Sequence, residues 1–127
     1  GKDILMDSGT YLYTPLPERR NEFRSISMHN TIIIDNLEQI KYNKNVSQLF
    51  HLNSNKITSY ILNLENDYID IISYYRNVIH RRNLQIKDNL VKIIDESNRP
   101  FKNNHLKNDY FSNGYGKIYN GSIHELL

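Results

Sequence analysis

Residues 57–95 read ITSYILNLENDYIDIISYYRNVIHRRNLQIKDNLVKIID, and this stretch decides the fold class. Ile57 to Leu64, Tyr68 to Tyr75, Val78 to Lys87 and Leu90 to Asp95 are each rich in β-branched and aromatic residues, the types that fit a pleated, half-buried surface. Glu65-Asn66-Asp67 and Asp88-Asn89 interrupt them with residues that favour hairpin turns. No segment keeps a helical apolar period over three turns. Upstream, Ile4 to Met6 reads as a short strand ending at Asp7, Ser8-Gly9 as a turn, and Thr31 to Ile34 as a strong strand stopped by Asp35-Asn36. Between them TYLYTPLPERR (residues 10–20) carries two prolines and reads as an irregular loop lying over a binding face. The expected fold is an all-β antiparallel sandwich.

Composition narrows the rest. The 127 residues suffice for one domain with a two-layer core, too few for a sandwich plus a second substantial domain. There is no cysteine, so neither a disulfide framework nor Cys-ligated zinc is available, and either redox compartment fits. A formal charge of +2, with Lys and Arg scattered, gives no footprint for nucleic acid. No apolar run nears the roughly 20 residues that span a bilayer, and GKDILMD lacks the pattern of a secretory signal, so no membrane partner is expected.

Chemistry concentrates in residues 7–35, DSGTYLYTPLPERRNEFRSISMHNTIIID. Asp7 and His29 are oxygen and nitrogen donors suited to zinc, which wants three or four such ligands. Without metal, Asp7 would cap a turn and His29 would be a satisfied core histidine. Arg20 and Arg24, four apart, suit planar anions such as carboxylate or sulfate, or else pair with Glu18 and Glu22 on a solvated surface. Asn30 and Thr31 suit either orienting the His29 ring or entry into the strand. Tyr11 and Tyr13 suit packing, sugar stacking, hydrogen bonding or acid–base work, and Tyr13 is the catalytic candidate because it lies in the loop. Further on, alternation from Arg76 puts Val78, His80, Arg82, Leu84 and Ile86 on one face. A charge among aliphatic neighbours needs a partner, and Asp95 on the next strand is the candidate.

The ordered set Asp7, Gly9, Tyr11, Arg20, Arg24, His29, Asn30, Thr31 and Asp35 resembles the D-x-G-x-Y, R-x-x-x-R, H-N-T pattern of the C-terminal β-sandwich domain of heparinase II/III-like polysaccharide lyases. His80-Arg81-Arg82 followed by LVKIID is similar to a pair of strands in the same family. The resemblance covers roughly residues 1–100. It implies cleavage of an acidic, uronate-containing polysaccharide by β-elimination, for which this chain offers at most Tyr13 and His29 as catalytic candidates, with Arg20, Arg24 and Asn30 as the candidates toward substrate. It also implies zinc on Asp7 and His29, with a third ligand, a His from a preceding strand, absent from this sequence, and a periplasmic or extracellular setting. An upstream helical toroid domain supplies much of the chemistry in that family. The chain is therefore expected to be the C-terminal part of a longer enzyme and inactive alone; Ile4 to Asp7 would normally have an edge partner before it. A carbohydrate-binding module without chemistry, a domain for surface-polysaccharide assembly and an adhesin-type sandwich are the alternatives.

Overall fold

The computed structural model describes residues 7–9, 16–35, 37–41, 45, 56–88 and 90–104. In chain order these form helix α1 (Pro17–Phe23), a 3-10 turn (Ile26–Met28), and strands β1 (Thr31–Ile33), β2 (Thr58–Glu65), β3 (Tyr68–Tyr75), β4 (Val78–Lys87), β5 (Leu90–Ser97) and β6 (Lys102–Asn104). Strands β2 to β5 make one antiparallel sheet in sequence order, and β1 pairs antiparallel with β6 in a second. The all-β expectation holds, with the strands of residues 57–95 in place to within two residues at their ends.

Local chemistry explains the meander. Arg76 and Asn77 join β3 to β4 with φ of 46° and 64°, the double left-handed turn whose twist matches that of its flanking strands. Asp88, at φ 50°, begins the turn from β4 to β5, and short polar residues such as Asp and Asn enter this region most readily after glycine. In β2 the pairing skips Leu62, so that Ile61 faces Ile71 while Asn63 faces Asp70. This bulge puts Ile61 and Leu64 on one face, which strict alternation would have separated.

The core lies where the two sheets meet. Ile32 and Ile34 of the β1 segment pack with Tyr75 and Val78 beside the β3–β4 turn, and Leu37, Ile57 and Phe101 close around them. On the same face of the large sheet, the next rows carry His80, then Arg82 opposite Asp95.

One expectation is corrected. Residues 17–20 were expected within an irregular loop but form the first part of α1. Pro17 sits at the helix start, where its missing N–H costs nothing and its fixed φ suits the helix. Phe23, only 1% exposed, anchors the far end. A seven-residue helix with one apolar anchor has too few turns to show a period. Ile4 to Met6 and Tyr11 to Pro15, Tyr13 among them, lie outside the described residues.

Candidate functional site

His29 caps the 3-10 turn in extended conformation, one residue short of β1. Its backbone is tied on both sides. The His29 N–H donates to the Ile26 carbonyl at 3.3 Å, and the His29 carbonyl accepts from the Thr31 N–H at 3.0 Å and from Asn104 Nδ2 at 2.8 Å. Asn104 Nδ2 also reaches the Ser27 carbonyl at 2.9 Å, so the last residue of β6 holds the turn that carries the histidine. From the other side, the buried Ser8 hydroxyl donates to the Met28 carbonyl at 3.0 Å, which brings Asp7 alongside.

Asp7 and His29 meet. Asp7 Oδ1 accepts the Gly9 N–H at 2.7 Å, closing a turn in which Gly9 takes φ 68°, and Asp7 Oδ2 lies 2.8 Å from His29 Nδ1. The turn-capping reading of Asp7 is therefore realised through one oxygen, and the other oxygen holds the His29 ring. His29 is no core histidine, because its side chain is 39% exposed. With Nδ1 engaged by the carboxylate, Nε2 is the ring nitrogen left for a proton or a ligand.

His29 opens onto a cleft of about 390 Å³, lined among others by Arg24, Asn30, Thr31, Glu38 and Arg82. That volume lies in the range of small-molecule sites, roughly 300–1,000 Å³. Three residues expected in the site, Arg24, His29 and Asn30, converge here. Arg24 caps the C-terminal end of α1, its N–H bonded to the Arg20 carbonyl, whereas Arg20 stands one turn back and does not line the cleft. The arginine pair thus rides on a helix, not a loop. Arg19 makes a surface ion pair with Glu22 at 2.5 Å, with both side chains 44% exposed, so it adds little stability.

Behind the cleft stands the cluster that alternation and the H-R-R pattern anticipated. Arg82 grips Asp95 with two hydrogen bonds, Nε to Oδ1 at 2.7 Å and Nη2 to Oδ2 at 2.9 Å, while His80 Nε2 lies 2.7 Å from Oδ1. The Asp95 side chain is only 2% exposed. Burial pushes its carboxyl pKa up, but the hydrogen bonds from His80 and Arg82 outweigh that and hold it at about 2. The remaining arm of Arg82, Nη1, donates to the Asn30 carbonyl at 2.6 Å. The ion pair therefore does more than satisfy a buried charge, since it fixes the H-N-T segment from below.

Glu38 is the cleft residue that no sequence signal announced. Its Oε2 accepts the Ile26 N–H at 2.9 Å, clamping the start of the 3-10 turn, and its carbonyl accepts Arg76 Nη1 at 2.9 Å. Burial raises its pKa, opposed by the Ile26 bond and by the charges of His29 and Arg76. It follows a turn and belongs to no periodic run, so only the folded contacts reveal it.

The family model for heparinase II/III-like C-terminal domains matches residues 1–104. The chain belongs to this family. Neither a curated protein nor a solved structure matches it. The match takes in every described element and ends on Asn104, a few residues beyond the resemblance read from the sequence, and so includes the strand that braces His29. Within this heparinase II/III-like domain, Asp7 Oδ2 and His29 Nδ1 stand 2.8 Å apart, a direct hydrogen bond and shorter than the roughly 3.3 Å between two ligands of a tetrahedral zinc ion. Among the described residues no third His, Cys, Asp or Glu joins them. Asp7 and His29 are zinc-type donors, two of the three or four that zinc takes. No helix among the described residues is long and apolar enough to cross a membrane.

Proposed function

We propose that this domain is the sandwich portion of a polysaccharide lyase that cleaves a uronate-containing acidic polysaccharide by β-elimination, acting together with an upstream helical domain. The observation that carries this reading is the convergence of Arg24, His29 and Asn30 on one cleft, with Asp7 orienting the His29 ring, in a chain of this family. The reaction removes the proton α to the uronate carboxylate, moves that electron pair to form a double bond, and expels the 4-linked sugar oxygen, which takes up a proton. It needs a neutralised carboxylate, a base and an acid. The Arg24 guanidinium is of a type suited to grip the carboxylate, Arg20 is the second substrate-side candidate, and the Asn30 amide is suited to stabilise charge that grows on it. His29, its Nδ1 held by Asp7, takes or returns a proton at Nε2, and Tyr13 is the other acid–base candidate of this chain. Asp7 and His29 would be the residues of this chain to hold zinc, which would supply a fixed positive charge there.

The test is formation of unsaturated uronate, followed by ultraviolet absorbance, on heparan, alginate and similar polymers. The 127-residue chain should give none, because the acid–base set is divided between two domains, and the full-length parent should be active on at least one polymer. Turnover by the chain alone would overturn the division of labour. An inactive parent with its upstream Tyr and His intact would favour a role in polysaccharide assembly.

A non-catalytic saccharide-binding role has one observation of its own. Tyr60 and Tyr74, 57% and 40% exposed, meet edge to face at 6.2 Å on neighbouring strands of the large sheet, a surface on which sugar rings can stack. Saccharide binding lost in Tyr60→Ala and retained in His29→Ala, without turnover by the parent, would establish it.

Zinc affinity follows from the ligand count. With Asp7 and His29 as its donors, the 127-residue chain should bind zinc no tighter than micromolar by calorimetry, and Asp7→Ala and His29→Ala should each abolish the binding. Stoichiometric nanomolar zinc would require further ligands and refute this.

A further inference from the structure

We propose that the face of the large sheet turned away from the cleft is a second saccharide-binding site, one that takes uncharged, hydroxyl-bearing units of a polysaccharide. It deepens the saccharide-binding reading above and stands beside the lyase cleft, independent of turnover. Arg82 lines the cleft, so alternation along β4 puts Arg81 on the opposite face. There the strand registers align Tyr60, Ile72, Arg81 and Glu96 in one row across β2 to β5, a span of roughly 14 Å at the usual strand spacing. Tyr74 stands in the adjoining row, its ring at 74° to that of Tyr60, and the two exposed rings form an apolar corner at one end. The β2 bulge helps to build this face. Because the pairing skips Leu62, Asn63 and Glu65 fall on the side of Tyr60, opposite Asp70 and Tyr68, where strict alternation would have put Leu62 and Leu64.

At the other end of the row, Arg81, Asn83, Gln85, Ile94 and Glu96 line a groove of about 190 Å³. That is below the roughly 300 Å³ at which pockets for whole small molecules begin, and it suits one edge of a chain lying across the sheet. Asp70 holds the Arg81 guanidinium with two hydrogen bonds, from Nε to Oδ1 at 3.0 Å and from Nη2 to Oδ2 at 2.7 Å. The remaining arm, Nη1, lies 3.7 Å from Glu96 Oε2, close enough for attraction but too long for a hydrogen bond. A sugar hydroxyl bridges the two, accepting from Arg81 and donating to Glu96. A carboxylate or sulfate does only the first and meets the Glu96 charge, so this groove favours hydroxyls over anions. With a ring face on Tyr60 and hydroxyls at Arg81 and Glu96, the row matches both surfaces of a sugar.

The experiment titrates the 127-residue chain by calorimetry with uncharged hexasaccharides of glucose, mannose, galactose and N-acetylglucosamine. At least one should bind with a Kd below about 1 mM. Tyr60→Ala should weaken it at least tenfold and Glu96→Ala at least threefold, whereas Tyr60→Phe, which keeps the ring, should retain it. Tyr60 and the Glu96 side chain are 57% and 66% exposed, so both variants should keep the fold, which circular dichroism checks. His29→Ala should leave the binding unchanged, and a mannuronate hexamer in excess should not displace the ligand. Binding by none of the four sugars, or binding indifferent to both Tyr60→Ala and Glu96→Ala, overturns the site. Binding lost in His29→Ala belongs to the cleft and overturns it too, and displacement by the mannuronate hexamer overturns the preference for uncharged units. Turnover is read on the full-length parent alone, so the lyase reading and this site fail separately.

Discussion

Replacing Asp95 by alanine should lower the unfolding free energy of this domain by about 3–5 kcal/mol, the usual cost of removing one partner from a buried charge cluster. The reason is local. Arg82 and His80 would be left with their charge and polarity buried beside an apolar stub, since the Arg82 and His80 side chains are only 19% and 8% exposed. The same cluster gives a pH signature. Asp95 has its pKa lowered from 3.8 to about 2, so its stabilisation is fully present above the unfolded value and is lost as pH falls through about 2. The shift corresponds to about 2 kcal/mol. That is less than the alanine cost, because a protonated Asp95 still occupies its place and shares hydrogen bonds. Urea unfolding of both proteins between pH 7 and 2 reads both effects, and the gap between them should narrow below pH 4. A variant as stable as the parent sequence at pH 7 would show that the cluster carries no stability. Loosening should also reach the cleft, because Arg82 would no longer be aligned to hold the Asn30 carbonyl.

In the full-length parent, His29→Ala and Arg24→Ala should each lower kcat/KM on the uronate polymer at least tenfold, about 1.4 kcal/mol of transition-state stabilisation. The two losses should differ in kind. In the proposed lyase His29, held by Asp7 at 2.8 Å, would act on a proton in transit, so its loss should fall mainly on kcat. In the same reading Arg24 would grip a carboxylate present in substrate and transition state alike, and its loss should raise KM as well. Asp7→Asn should fall between the parent and His29→Ala, since it keeps a hydrogen-bond partner for the ring and removes the carboxylate charge beside it. Steady-state kinetics on purified parent and variants checks all three. A His29→Ala enzyme within twofold of the parent would displace His29 from the chemistry and leave it a structural role beside Asp7.

The four-stranded sheet was legible because its information is local. Each strand is a run of β-branched and aromatic residues, and each is closed by Asn, Asp or Glu at the turn. The Arg82–Asp95 pair was legible for the same reason. Once adjacent strands are joined by a short turn, alternation alone brings these two residues opposite each other. Helix α1 was not, because two turns around Phe23 leave no measurable period, and its stability comes from burying that one ring. Nor was the bulge at Leu62, which depends on the pairing with β3.

For the site, residue types and their order determined by themselves that Asp7, Arg24, His29 and Asn30 belong to one constellation, through the motif they share with the heparinase II/III-like domains. They also determined the β class, whose turns and strand runs are encoded a few residues at a time. Only the tertiary structure decided how that constellation is built. Ser8, Asn104 and Arg82 bind the carbonyls of Met28, His29 and Asn30 from three separate parts of the chain, and Glu38 enters the cleft through its bond to Ile26. Every one of these contacts ends on a backbone group. A carbonyl or N–H is the same chemical group at every position, so no pattern of side chains announces which one a distant residue will meet; that follows only once the strands have packed.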